Sequence, residues 1–142
     1  MADFVIDANV TLAWLFAEDE HRTWMPEDWA EADMVSSWLW RLEVTNAVLV
    51  KERRRQITQA QGSRFLQALE SLEIDVVGDP AGRSMEQLAF VARPHQLTAY
   101  DTVYHDLATT LGLPLCTLDH NLQAAAKRLG VDLVIAPSRS KS

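Results

Sequence analysis

The stretch Phe4-Val5-Ile6-Asp7-Ala8-Asn9-Val10-Thr11-Leu12-Ala13-Trp14-Leu15-Phe16 reads as a strand, an acidic turn and a helix. Phe4, Val5 and Ile6 form a short β-favouring apolar run, the mark of a buried strand. Asp7-Ala8-Asn9 supplies turn and N-cap residues. The apolar run that follows, residues 10–16, then predicts a helix.

The same alternation continues outward from this unit. Pro26, followed by Glu27 and Asp28, reads as the first turn of a helix over 26–32. Residues 34–37 read as a second strand. Residues 40–55 have helical periodicity, with Leu42, Val44, Ala47, Val48 and Val50 near one side. Thr58 is a plausible N-cap for a helix over 59–72. A third strand is expected over 74–77, then a turn at Gly78-Asp79-Pro80. A helix over 83–91 should be stopped by Pro94. Thr98 caps a helix through Leu111, which Gly112 ends. Residues 114–118 read as a fourth strand, 121–129 as a helix closed by Gly130, and 131–135 as a fifth strand. Strands separated by helices imply right-handed crossovers. The expected fold class is α/β, a central, mainly parallel five-stranded sheet flanked by helices on both faces. The 142 residues fit one domain. Residues 1–136 are assigned to it and 137–142 to a disordered polar tail.

Composition narrows the function classes. Cys116 is the only cysteine, which excludes an internal disulfide and a thiolate metal site. It lies in an apolar run and reads as a small buried hydrophobe rather than a nucleophile. The N-terminus carries no signal-peptide pattern, and no apolar run approaches the ~20 residues that span a membrane. A cytoplasmic location is expected, where thiols stay reduced. The net charge of −7 argues against nucleic-acid binding. Acids that bind divalent metal would inflate that count, however, and the basic residues are concentrated in Lys51-Glu52-Arg53-Arg54-Arg55. That patch suits either a helix C-terminus or a phosphate contact.

In an open parallel sheet, ligands bind beyond the carboxyl ends of the strands, near the switch point. Asp7 follows the first strand and Asp119 the fourth, so both should project at that edge. Each could alone be a helix cap; their occurrence at matching strand ends points to a shared site. Glu43 and Asp101 lie in apolar helical segments. Asn46 shares the face of Glu43, which suggests a polar pocket, whereas Asp101 would also suit a first helical turn. Four converging carboxylates would raise one another's pKa. A divalent cation with oxygen ligands, Mg²⁺ or Mn²⁺, resolves that conflict and suits phosphodiester hydrolysis.

Val5-Ile6-Asp7-Ala8-Asn9-Val10, Leu42-Glu43-Val44-Thr45-Asn46-Ala47, the stretch from Leu97 to Ala108 and Cys116-Thr117-Leu118-Asp119-His120-Asn121-Leu122 occur in the order of the four motifs of PIN domains. Over nearly its whole length the chain resembles that family, and its VapC-type toxins in particular. The resemblance implies a metal-dependent endoribonuclease acting on RNA, with Asp7, Glu43, Asp101 and Asp119 as catalytic, metal-coordinating acids. It gives Thr117 a supporting hydrogen bond and places Asn46 at a polar position after the second acid. Asn9 departs from the pattern, where many members have Ser or Thr; its amide can still bond a metal water or a phosphate. The resemblance further implies a cognate antitoxin covering the acidic pocket, and a homodimer. An acidic groove would attract an antitoxin arginine. The tryptophans crowded into residues 14–40 are expected to divide between core and interface. His105, one helical turn after Asp101, is the candidate for a supporting or RNA contact, and His120 reads as a surface residue. Two other readings are a non-catalytic PIN-like scaffold for RNA or protein and a small-molecule phosphohydrolase. The first gives no reason to hold unpaired acids together. The second would usually need a lysine beside the phosphate, and none stands near the four acids.

Overall fold

A computed structural model of the chain describes residues 2–16, 32–78 and 82–134. Four strands, β1 (Phe4–Ile6), β2 (Met34–Ser37), β3 (Asp75–Val77) and β4 (Leu115–Cys116), form one parallel sheet in the order β3-β2-β1-β4. The helices between and after them are α1 (Ala8–Phe16), α2 (Leu39–Arg53), α3 (Gln59–Ser71), α4 (Met85–Ala92), α5 (Ala99–Leu111) and α6 (His120–Leu129). No helix among the described residues is long and apolar enough to cross a membrane.

Register explains why the strands are apolar without alternation. Val5 pairs with Val35 on one side and Leu115 on the other. These three point into a cluster with Trp40, Val44, Tyr104, Leu107 and Leu122. Their neighbours Phe4, Ile6, Met34 and Cys116 point the other way, into a second cluster with Val10. Both faces of the sheet are therefore covered, as a parallel sheet requires.

Local signals set most helix ends. Thr58, Ser84 and Thr98 each close a capping box with the residue three positions on, Gln61, Gln87 and Asp101. Because Ser84 is the cap, α4 starts at Met85 rather than at 83. It ends at Ala92, before the 3-10 turn Arg93–His95 that contains Pro94. Gly112 and Gly130 end α5 and α6 in the left-handed conformation that glycine tolerates.

The expected fifth strand is corrected to a single bridge. Residues 131–134 run beside β4 through Leu115–Leu133 alone, with Leu115 N donating to Asp132 O and Val134 N to Leu115 O. β4 is only two residues long, so it offers too short an edge for a further ladder. The described sheet has four strands instead of five. The expected helix over 26–32 and the polar tail over 137–142 lie outside the described residues.

From β1 the chain builds outward through β2 to β3, then returns to place β4 on the opposite side of β1. The switch point therefore falls between β1 and β4, whose exits carry Asp7 and Thr117.

Candidate active site

Asp7 leaves β1 with its backbone tied across the switch point, its N–H donating to Cys116 O at 3.0 Å. Its side chain is 4% exposed and accepts a 2.7 Å hydrogen bond from Thr117 Oγ1. Burial raises the carboxyl first, and the charges of Asp101 and Glu43 push the same way. The Thr117 and Ala8 hydrogen bonds offset only part of this, and Asp7 is held at about 7.

Glu43 comes from the second turn of α2 and is half-buried. Burial and the charge of Asp101 raise its carboxyl, against a hydrogen bond from Tyr104. Asp101 sits in the first turn of α5, where its N–H donates to Thr98 Oγ1 at 3.0 Å. Burial raises it as well, and the charge of Asp119 adds to that, while the bonds with Thr98 oppose. Asp101 thus stands in the first helical turn and also borders the same groove as Asp7 and Glu43.

Asp7, Asn9, Glu43, Asn46 and Asp101 line one open groove of about 340 Å³. Asp119 does not line it. Its carboxylate caps α6 by accepting from Leu122 N at 2.8 Å, and it reaches the groove through its charge on Asp101. Thr117 is buried and acts as a hub: it donates to Asp7, and its Oγ1 accepts from Asn9 Nδ2 at 3.3 Å and from Asp119 N at 3.1 Å. Asn9 Oδ1 in turn accepts from Leu118 N at 3.1 Å. Its amide braces α1 against the β4 exit, which leaves less of it for a phosphate than its sequence position suggests.

The donor set suits a hard cation. Three carboxylates that raise one another share a groove, and only oxygen ligands are offered. Among the described residues no three acidic, histidine or cysteine side chains are already drawn into a closed cage. Mg²⁺ does not require one, because it keeps several waters and takes one or two carboxylates. A larger cavity, about 580 Å³ against α2 and α3, is lined mainly by apolar residues such as Trp40, Val44, Leu66 and Ile74. Volume alone therefore does not locate the chemistry; the mutually repelling carboxylates do.

Tyr104 has no counterpart in the sequence-level set of site residues, yet its hydroxyl donates to Glu43 Oε1 at 2.6 Å. Its position three residues after Asp101 on one helix is the signal that could have found it. His105 is 5% exposed, its Nε2 is buried without a hydrogen-bond partner, and it does not line the groove. Burial lowers its pKa; Asp106 opposes, and His95 and Arg83 add to the lowering. In place of the expected supporting or RNA contact, His105 lies on the buried side of α5 itself. There Arg83 holds Asp106 with bonds of 2.6 and 3.1 Å. His120 is exposed. Cys116 is fully buried, and its thiol is pushed up to about 12, chiefly by burial and further by Asp7. Trp40 is buried with its indole N–H bonded to Thr11 Oγ1 at 2.9 Å, while Trp38 is 46% exposed. Trp24 and Trp29 lie outside the described residues.

No family model and no curated protein matches the chain. Solved structures do. PAE2754 from Pyrobaculum aerophilum matches with a TM-score of 0.65 at 27% identity, over 87% of this chain and 79% of that one. VapBC2 from Rickettsia felis, solved bound to a DNA fragment from their promoter, matches with a TM-score of 0.60 at 13% identity, over 94% and 98%. A toxin-antitoxin complex from Klebsiella pneumoniae matches with a TM-score of 0.55 at 16% identity, over 82% and 87%. The resemblance drawn from the four acidic motifs is borne out at the level of the fold, which is PIN-like.

Proposed function

We propose that this chain, whose fold is that of the PIN-domain, VapC-type proteins, is the toxin of a toxin–antitoxin pair and a divalent-cation-dependent endoribonuclease. The observation that carries the reading is the groove at the β1–β4 switch point. There Asp7, Glu43 and Asp101, remote in sequence, repel one another. The structural likeness to VapBC2 and to a toxin-antitoxin complex supports the toxin role.

In this reading Asp7, Glu43 and Asp101 hold Mg²⁺ or Mn²⁺, and Asp119 adds negative charge from the cap of α6. A cation bound there supplies an activated water and offsets charge on the phosphate oxygens. The chain's own residues prepare the site. Thr117 fixes Asp7, so the carboxylate does not swing to solvent. Asp7, held near 7, gives up its proton as the cation enters, which makes binding tighter as pH rises through that value. Asn46 is exposed and lines the groove, and in this reading it would bond RNA. No side-chain nucleophile is needed, and Cys116 is sealed away from the groove.

Two partners belong to the same reading. A cognate antitoxin would be drawn to the groove by its negative charge. A second copy of the chain would cover apolar residues exposed on α4, where Met85 is 89% and Phe90 76% exposed.

The test is cleavage of RNA in Mn²⁺ by the parent, Asp7→Asn and Asp101→Asn. Each substitution should lower the rate by more than about a hundredfold, the scale of losing an electrostatic stabiliser. Their thermal unfolding should stay cooperative. Cleavage at the parent rate by both variants would reject the assigned roles.

A further inference from the structure

Tyr104 stands outside the acidic set but grips one of its members. Its hydroxyl donates to Glu43 Oε1 at 2.6 Å, while its ring is 1% exposed, in the core with Val44 and Leu107. It lies three residues after Asp101, so one turn of α5 supplies both an acid of the groove and the hydroxyl that anchors a second acid. The same hydroxyl lies beside Ser36, whose Oγ donates to Ile6 O at 2.7 Å. The phenol thus joins α5, α2 and the carboxyl ends of β1 and β2 around Glu43.

A glutamate side chain ordinarily surrenders considerable rotamer freedom when it is fixed. Here one of its oxygens is anchored from the buried side before any ligand arrives. Oε1 has one lone-pair direction taken by Tyr104, which leaves Oε2 the less constrained of the two oxygens. That distinction matters for cation choice. Ca²⁺ takes six to eight oxygens and often both oxygens of one carboxylate, whereas Mg²⁺ needs few protein oxygens and keeps its waters.

We propose that Tyr104 is a positioning residue for the cation site: by holding Glu43 Oε1 it fixes the carboxylate's orientation, disfavours bidentate coordination by Glu43 and biases the groove toward Mg²⁺ and Mn²⁺ over Ca²⁺. The proposal rests on the reading of Asp7, Glu43 and Asp101 as cation ligands.

Tyr104→Phe keeps the ring in the core and removes only the hydroxyl. The full-length parent and this variant are titrated with Mn²⁺ and, separately, with Ca²⁺ by calorimetry, without RNA. Mn²⁺ affinity should fall about tenfold, the lower end for losing a group that orients a ligand. Ca²⁺ affinity should fall less, which narrows the Mn²⁺/Ca²⁺ ratio, and the thermal midpoint in EDTA should stay close to the parent's. An unchanged Mn²⁺ affinity or an unchanged ratio overturns the proposal. So does a lowered midpoint with both affinities falling together, since the hydroxyl would then serve only the fold. Mn²⁺ binding by the parent that Asp101→Asn abolishes keeps the underlying reading intact in any of those cases. A parent that binds no Mn²⁺ overturns both.

Discussion

At Asp7 burial and repulsion act in one direction, and the carboxyl, 4% exposed, is held at about 7. Its folded pKa exceeds its unfolded one, so between about pH 4 and 7 the native state holds a proton that the unfolded chain has lost. The native state is then the stronger proton binder, and this group's contribution to stability falls as pH rises through that window. His105 works oppositely over part of the range. Its pKa is lowered on folding, so its contribution is lost as pH falls through the ordinary histidine value. The clean readout is therefore the difference between parent and Asp7→Asn, measured by urea unfolding in EDTA at pH 5 and pH 8. The variant should gain on the parent as pH rises and be the more stable of the two at pH 8. A difference that stays constant from pH 5 to pH 8 would show that Asp7 ionises in the usual carboxylate range. Residue roles were unevenly legible. Asp7 stands out from its strand end and Glu43 from the helical face it shares with Asn46, whereas Asp101 is picked out over a plain first-turn acid only by the family resemblance. Asp119 is legible as a cap from its local sequence, and that cap forms, although it stands outside the groove lining. Tyr104 offers only its three-residue spacing from Asp101 as a signal, and that is masked because an aromatic among apolar helical neighbours has the signature of core, which its ring also is. Its bond to Glu43 spans 61 positions, a distance no local pattern encodes.

Among the elements, α2 links the acidic groove to the basic patch. At 100° and 1.5 Å per residue, Arg54, eleven positions after Glu43, lies roughly 20° round the helix from it and about 16 Å along the axis. Arg53, Arg54 and Arg55 are exposed, with Arg54 at the C-cap. Their charge suits the helix dipole, and the alignment also sets Arg54 on the side of α2 that faces the groove. An RNA strand whose scissile phosphate reaches Glu43 would then pass Arg54 a few nucleotides away. Arg54→Ala should weaken binding of a single-stranded RNA in EDTA and reduce the slope of log affinity against log salt by about 1. A slope equal to the parent's would assign Arg54 to the helix end alone. The contrast between helix and strand boundaries has a physical origin. The caps at Thr58 and Thr98 are local, each closed by a residue three positions on, so sequence places those ends closely. A strand needs a partner from elsewhere in the chain. Residues 131–134 are mostly apolar, yet their neighbour β4 pairs over only two residues and leaves them a single bridge.

At the scale of the whole molecule, the order β3-β2-β1-β4 turns sequence distance into proximity. Asp7 arrives from the centre of the sheet, Glu43 from α2 and Asp101 from α5, and Thr117 ties the β4 exit to Asp7. Without a cation this convergence works against folding, because each carboxylate is raised by burial and by its neighbours. A chain with net charge −7 carries that repulsion inside a generally acidic molecule. A ligand that binds only where those elements meet stabilises the native state by mass action. At a hundred times its dissociation constant the gain is about 2.7 kcal/mol, which for a domain of this size corresponds to roughly 10 °C in the thermal midpoint. Mn²⁺ should therefore raise the midpoint of the parent by that order, with a larger shift at pH 8 than at pH 6, because Asp7 must release its proton first. Asp7→Asn should start from a midpoint no lower than the parent's in EDTA and respond little to Mn²⁺. Differential scanning calorimetry across a Mn²⁺ series at both pH values measures this. A parent midpoint that ignores Mn²⁺ at pH 8 would mean that the acids meet without holding a cation between them.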